Sequence, residues 1–289
     1  MRPPRLVERR TFGSTGVDVT VIGQGTWQLR DPERATEALR AGLDLGMTHL
    51  DTAELYRGSE EVVANALQGR RREEVFVVSK VLPQNAGYRG TLKACEASLR
   101  RLRMAQLDVY LLHWWSDSHP IEDTMRAMGD LIDQGKVRFA GVSNLDVSEL
   151  EQAQAALGKK HRIVCDQVLY HLGERSIEHE LLPHCARKGI AVVAYSPLGG
   201  PGGRAFPQPG SKAWNVLEDV GRRHGKTPRQ VALRFLTRHP SVFAIPKAEE
   251  VEHVRENAGG AGWTLTEADV AVIEQAFPRP RAATTLPTG

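Results

Sequence analysis

Cysteine is scarce. Three residues, Cys95, Cys165 and Cys185, stand far apart in odd number and form no C-x-x-C pair. This argues against a disulfide framework and a structural zinc site, and it fits a reducing compartment. No metal is expected elsewhere, since H-E-x-x-H and comparable ligand spacings are missing. Long apolar runs are also missing: no window approaches the ~18 apolar residues of a membrane span. The basic start Met1-Arg2-Pro3-Pro4-Arg5 lacks the apolar stretch of a secretory signal. Charge of one sign is not concentrated anywhere. The formal net charge is +3, with arginine and glutamate spread along the chain, so no nucleic-acid footprint is present. The run Arg70-Arg71-Arg72 before Glu73-Glu74 reads as a solvated helix end. Finally, no G-x-G-x-x-G joins a strand to a helix, because Gly23-Gln24-Gly25 is not continued as that fingerprint requires. These absences leave a cytoplasmic protein with neither membrane nor nucleic-acid partners.

What is present is a series of short apolar runs that close on chemistry-bearing residues. Thr48-His49-Leu50 ends at Asp51, with Tyr56 in the following loop. Val75 to Ser79 ends at Lys80, and Asp108 to Leu112 ends at His113. Strands buried on both faces read as near-continuous apolar runs, and in parallel barrels the chemistry sits at their carboxyl ends.

Taken in order, residues 8–20 form a hairpin turning at Gly13-Ser14-Thr15-Gly16, and Val21 to Trp27 is the first inner strand. Helix follows over 33–46, with Ala35, Ala38, Leu39 and Leu43 on one face and Gly46 as its stop. After the strand at 48–51, Ser59 with Glu60 and Glu61 opens a helix to Leu67, the acids suiting its positive end. Strands at 75–80, 108–113 and 137–143 alternate with helices at 89–103 and 121–134. Asp146 to Glu149 has capping-box spacing. A strand at 162–167, a helix at 176–188 and a strand at 190–195 follow. A Gly- and Pro-rich loop, Pro197 to Pro209, leads to helices at 212–224 and 227–238, then a strand at 241–245 and helices at 249–257 and 266–276.

Eight inner strands, each followed by helix, close as a barrel or open as a doubly wound sheet. Eight near-equal repeats favour the barrel. The fold expected is a single-domain α/β (β/α)8 TIM barrel over residues 1–289, with an N-terminal β-hairpin, two extra helices and a mobile tail at 278–289.

One ring of a barrel brings consecutive strand exits roughly 5 Å apart, so Asp51, Tyr56, Lys80 and His113 converge. A phenol has a reference pKa near 10, and an ammonium beside it favours the phenolate; a drop of two units amounts to about 2.7 kcal/mol. Asp51 holds Lys80 charged, and His113 donates a hydrogen bond to an incoming carbonyl oxygen. The set describes an acid aimed at a developing alkoxide. A sugar hydrolase on the same barrel needs two facing carboxylates, and only Asp51 qualifies. Trp27 and Trp114, at strand exits, read as walls of a substrate pocket shared with Tyr56 and His113. Tyr110, within its strand, reads as packing.

The chain resembles the aldo-keto reductase superfamily from about Thr11 to Phe277. The resemblance is carried by Gly25-Thr26-Trp27, Asp51-Thr52-Ala53-Glu54-Leu55-Tyr56, Ser79-Lys80, Leu112-His113-Trp114, Gly141-Val142-Ser143-Asn144, Gln167-Val168-Leu169-Tyr170-His171, Ala194-Tyr195-Ser196-Pro197-Leu198 and Ile245-Pro246-Lys247. It implies a reductase linked to NADPH that acts on aldehydes and ketones, with small aldehydes and dicarbonyls such as methylglyoxal among them. By similarity, Tyr56 is the proton donor, tuned by Asp51 and Lys80. Ser143, Asn144 and Gln167 hold the nicotinamide carboxamide, Tyr195 stacks on its ring, and Ser196 and Leu198 meet the pyrophosphate. Gly25, Thr26, Trp27 and Ile245 complete that side of the cofactor. Lys247 to Asn257 takes the 2′-phosphate and adenine, with Glu256 and Asn257 on the adenine.

Departures fall in that last segment. Ala248 stands where many relatives have Ser or Thr, and His253 where they have Arg, and neutral histidine is the weaker phosphate ligand. NADH is therefore also expected to serve. Arg57 and Leu172 also depart from the pattern, outside the tetrad. Some relatives act instead as redox-sensing auxiliary subunits that turn over slowly, which is the alternative reading. The expected partner is a small carbonyl substrate, with the protein a monomer or weak oligomer.

Overall fold

Alternation along each strand decides what lies inside this protein. The computed structural model describes residues 7–200 and 206–280. Eight strands form one parallel sheet in sequence order: β3 (Gln24–Gly25), β4 (His49–Asp51), β5 (Phe76–Val81), β6 (Leu107–Leu112), β7 (Val137–Ser143), β8 (Ile163–Leu169), β9 (Ala191–Tyr195) and β10 (Val242–Ala244). Parallel bridges Ile22↔Ala244 and Gly25↔Lys247 join its two ends and close the (β/α)8 barrel. The expected first strand, Val21 to Trp27, is mostly this seam: only Gln24 and Gly25 pair with β4. The chain crosses the seam so closely that a Cβ on Gly25 would lie 2.6 Å from the Ile245 carbonyl oxygen, which explains glycine there.

Period-two alternation puts Phe76, Val78, Val109, Leu111, Ala191, Val193, Phe243 and Ile245 in one inner cluster, while Val77, Leu112, Val142, Val192 and Ala244 pack outward against the helices. Tyr110 belongs to the outer set and is fully buried, as expected of a packing residue. Below, the antiparallel hairpin β1 (Arg9–Thr11) and β2 (Asp18–Thr20) plugs the barrel. Its Phe12 ring lies 5.0 Å from Phe76, 4.9 Å from Phe243 and 5.8 Å from His49, centroid to centroid.

The outer layer comprises α1 (Pro32–Leu45), α2 (Ser59–Ala66), α3 (Tyr88–Leu102), α4 (Ile121–Asp133), α5 (Val147–Leu157), α6 (Leu181–Lys188), α7 (Lys212–His224), α8 (Pro228–Leu236), α9 (Val251–Ala258) and α10 (Glu267–Ala276). Local signals set several ends. Asp31 caps α1, Gly46 closes it at φ 95, and capping boxes start α5 at Asp146 and α8 at Thr227.

Three expectations need correction. Ser59 does not cap α2. Gly58 holds that place, the Ser59 hydroxyl donates to the Thr26 carbonyl at 2.9 Å, and Glu60 is buried against Ser79 and Arg101. The first turn of α2 faces the barrel, so tertiary partners outcompete the dipole. The helix expected over 176–188 is split into a 3-10 turn, Ser176–Glu178, and α6, because Glu178 turns inward to the buried Arg175 and to the Tyr170 hydroxyl. The basic run is a solvated helix end only in part: Arg71 pairs with Glu73 and Arg70 with Asp44 at the surface, but Arg72 reaches the fully buried Asp108 at 2.7 Å. The expectation of a mobile tail falls mainly on residues 281–289, outside the described residues.

Candidate active site

Each inner strand face is apolar below and turns polar at its carboxyl end. On β5 the inward series Phe76, Val78 continues to Lys80; on β6 Val109, Leu111 continues to His113. The same register brings Asp51 on β4 and Gln167 on β8 to the ring. Lys80 is fully buried, and its ammonium has three acceptors: Asp51 Oδ1 at 2.5 Å, the Thr52 carbonyl at 2.9 Å and the Tyr56 hydroxyl at 3.5 Å. That matches its three donors. Asp51 Oδ2 accepts from Gln167 Nε2 at 2.6 Å, so both charges of the buried pair are hydrogen-bonded, the condition under which such a pair is tolerated. The Tyr56 ring lies 5.0 Å from the ammonium and meets the His113 ring edge-on at 5.7 Å. The four groups expected to converge do so.

Their protonation follows from burial and charge. Burial alone would depress the Lys80 ammonium, but Asp51 and Tyr56 beside it raise its pKa instead. Burial pushes the Tyr56 phenol above its usual value; Lys80 pulls it down, Asp51 pushes it up, and the net shift is upward. This corrects the sequence reading, in which Lys80 prevails and the phenol falls. His113 is depressed to about 3 by burial and by the Lys80 charge. At neutral pH the ring therefore holds an ammonium, a protonated phenol and a neutral imidazole, whose Nδ1 is buried with no hydrogen-bond partner among the described residues.

A second polar arc adjoins the first. Ser143 Oγ donates to the Gln167 carbonyl at 2.7 Å. Asn144 sits in the left-handed region at φ 62, a conformation its short amide side chain tolerates. It donates to the His113 carbonyl and to Ser143 Oγ, both at 3.1 Å, and accepts from the Tyr195 hydroxyl at 3.0 Å. Ser196, also at positive φ (46), turns the chain away after β9. Thr26 Oγ1 donates to the Asp51 carbonyl at 2.9 Å, fastening the loop that carries Trp27.

These residues line a cleft of about 450 Å³. Tyr56, His113, Trp27 and Trp114 wall one part of it, and Gly25, Thr26, Asp51, Ser143, Asn144, Gln167, Tyr195, Ser196, Leu198, Ile245 and Lys247 also border it. Ala248, His253, Glu256 and Asn257 do not. They lie on or before α9, where His253 is exposed, Asn257 is buried and Glu256 accepts from the Thr227 hydroxyl at 2.7 Å. Sequence reasoning missed Gln28, Leu55, Leu169 and Pro246 as wall residues. Leu169 was within reach, two positions beyond Gln167 on the same strand face. It also missed Glu54, whose carboxylate accepts from the Leu82 amide at 2.7 Å and from Asn85 Nδ2 at 3.0 Å, fixing the Tyr56 loop. Among the described residues no group of His, Cys, Asp or Glu is arranged to hold a metal ion.

Residues 21–277 match the family model described as Aldo/keto reductase family. The chain is similar to the methylglyoxal reductase YeaE of Escherichia coli (strain K12), 44% identical over 94% of this chain and 96% of that one. It is similar to the glyoxal reductase of Bacillus subtilis (strain 168), 34% identical over 90% of this chain and 89% of that one. Among solved structures, an aldo/keto reductase from Klebsiella pneumoniae in complex with NADP and acetate superposes with a TM-score of 0.87. It is 38% identical, covering 97% of this chain and 99% of that one.

Proposed function

The chain belongs to the aldo/keto reductase family, and on that premise we propose that it reduces small aldehydes, ketones and dicarbonyls of the methylglyoxal kind to alcohols, using NADPH and accepting NADH. The observation that carries this reading is the Tyr56 hydroxyl, 3.5 Å from an ammonium that is itself locked to Asp51 at 2.5 Å, facing an open cleft beside a neutral His113. The donor set fits a nicotinamide nucleotide. A hydroxyl and two carboxamides (Ser143, Asn144, Gln167) suit an amide, the Tyr195 ring offers a face, and Lys247 offers a cation further along the cleft. The similarity to an NADP-bound relative supports the same assignment.

When bound, such a nucleotide would supply the hydride that reaches the carbonyl carbon. The chain's own work is at the oxygen. His113, kept uncharged, donates a hydrogen bond from its ring and orients the carbonyl without competing as an acid. Tyr56 is then the group that gives up a proton to the oxygen as charge develops there. The phenol is protonated at rest because burial keeps its pKa up. Once the proton has left, the phenolate faces the Lys80 ammonium, so the lysine favours the state formed during reaction over the resting one. Trp27, Leu55 and Trp114 supply the apolar walls against which a small substrate seats.

Following NADPH absorbance with methylglyoxal, glyoxal and simple aldehydes tests the reading. Turnover well below one per second on every substrate would point instead to a redox-sensing subunit. Tyr56→Phe is expected to lower kcat at least 100-fold, the usual scale for a lost general acid, while the NADPH dissociation constant stays within about twofold. A variant that kept most of its kcat would remove Tyr56 from the role.

A further inference from the structure

Lys247 is the one lysine or arginine among the described residues lining the cleft, and its ammonium is already engaged. It forms an ion pair with Glu249, two residues on. The Glu249 carboxylate is mostly buried, at 13% exposure, and its other oxygen accepts from the backbone amides of Arg30 at 3.0 Å and Asp31 at 3.2 Å. Glu249 thus ties the loop after β10 to the start of α1 across the barrel seam. Burial would raise its pKa, but Lys247 and the two amides outweigh burial and hold the carboxyl ionised. The next residue, Glu250, brings a second carboxylate. Arg34 on α1 is paired with Glu250 at 2.8 Å and Arg255 on α9 with Glu252, so these cations are spoken for.

A nucleotide whose adenosine carries a 2′-phosphate brings close to two negative charges to this corner. To reach Lys247 it must take the ammonium from Glu249 and then lie beside a carboxylate held in place by two amides. A ribose with a free 2′,3′-diol meets no such repulsion, and its hydroxyls are donors a carboxylate accepts. We propose that Glu249 determines cofactor choice by competing with the 2′-phosphate for Lys247, holding the preference for NADPH down and admitting NADH. This rests on the reading above that Lys247 receives the phosphate. It adds a specificity-determining residue whose charge opposes the favoured cofactor, a use of repulsion as well as attraction in selectivity.

Fluorescence titration of purified protein with NADPH and with NADH, without substrate, reads both affinities directly. Glu249→Gln keeps an oxygen for the Arg30 and Asp31 amides but removes the charge. It is expected to tighten NADPH binding about fivefold, the scale of a partly exposed ion pair, with NADH unchanged or weaker. Glu249→Ala should show the same change in selectivity, and thermal melting confirms that each variant is folded. If NADPH and NADH shift by the same factor, or NADPH weakens, the proposal is overturned. Lys247→Met separates the two ideas. A loss confined to NADPH keeps Lys247 as the phosphate ligand even where Glu249→Gln proves unselective, and then only the competition is refuted. Equal losses for both cofactors would take down the Lys247 assignment and this inference with it.

Discussion

Lys80 is the residue on which the site's electrostatics turn, because Asp51 and Tyr56 both bond to its ammonium and its charge helps burial keep His113 neutral. Its ammonium and the Asp51 carboxylate are both almost wholly removed from water, and each offsets the desolvation of the other. Deleting one partner should therefore unfold as well as inactivate. Lys80→Met is expected to cost about 3–5 kcal/mol by leaving Asp51 buried and unpaired, measured by urea denaturation. Adding Asp51→Asn should return much of that stability, because an amide needs no counter-charge. It should not return activity, because the phenolate of Tyr56 would still lack its cation. A double variant as unstable as Lys80→Met alone would show that packing, rather than the lone carboxylate, accounts for the loss.

At the scale of elements, the hairpin and the strand exits show what a sequence discloses and what it withholds. The hairpin was legible from its glycine turn, and Phe12 shows why it is retained: the ring fills the bottom of the barrel between Phe76 and Phe243. Phe12→Ala is expected to cost about 3–5 kcal/mol and to leave kcat largely unchanged in the fraction that remains folded, since the rings it packs against, His49, Phe76 and Phe243, do not border the cleft. A large kcat loss at unchanged stability would mean that strand packing below controls the ring above. The tetrad and the Ser143, Asn144, Gln167 arc were legible because strand period and strand ends are written locally. Glu60 and Glu249 were not, because each is an acid with a partner far away in the chain, Arg101 for one and the amides of Arg30 and Asp31 for the other. Glu178 pairs with nearby Arg175, but that arginine is itself held by Glu274 and the Phe277 carbonyl at the far end of the chain. Local rules assign such residues to helix dipoles and solvent, and only the closed barrel reveals the partner. The direction of the Tyr56 shift failed for a related reason, since sequence names the lysine beside the phenol but not the burial that outweighs it.

For the whole molecule, the barrel interior carries a pH liability at two levels. His49 lies near the plug, fully buried against Phe12 and Phe76, with neither ring nitrogen hydrogen-bonded among the described residues; His113 lies at the top. Burial, helped by the Lys80 charge, depresses both to about 3, against 6.5 when exposed. Between those values the unfolded chain binds protons that the folded chain refuses. The stability associated with the neutral rings is therefore complete above about pH 6.5 and is lost as pH falls toward 3, by roughly 1.4 kcal/mol per pH unit for each histidine. Carboxylates that are depressed in the fold act in a lower window: Asp269, where burial is outweighed by Arg223, His224 and Thr266, matters only as pH falls below its ordinary 3.8. The two windows can be separated by one substitution. His49→Leu removes a titrating ring that makes no hydrogen bond, so it sacrifices no polar partner. Its unfolding free energy at pH 7 should match or exceed that of the parent, and the slope of stability between pH 6 and 4.5 should fall by about 1.4 kcal/mol per unit, with the steep loss below pH 4 retained. Urea unfolding followed by circular dichroism across that range gives both quantities, and a slope unchanged by His49→Leu would mean that the ring at the barrel floor is not the group being titrated.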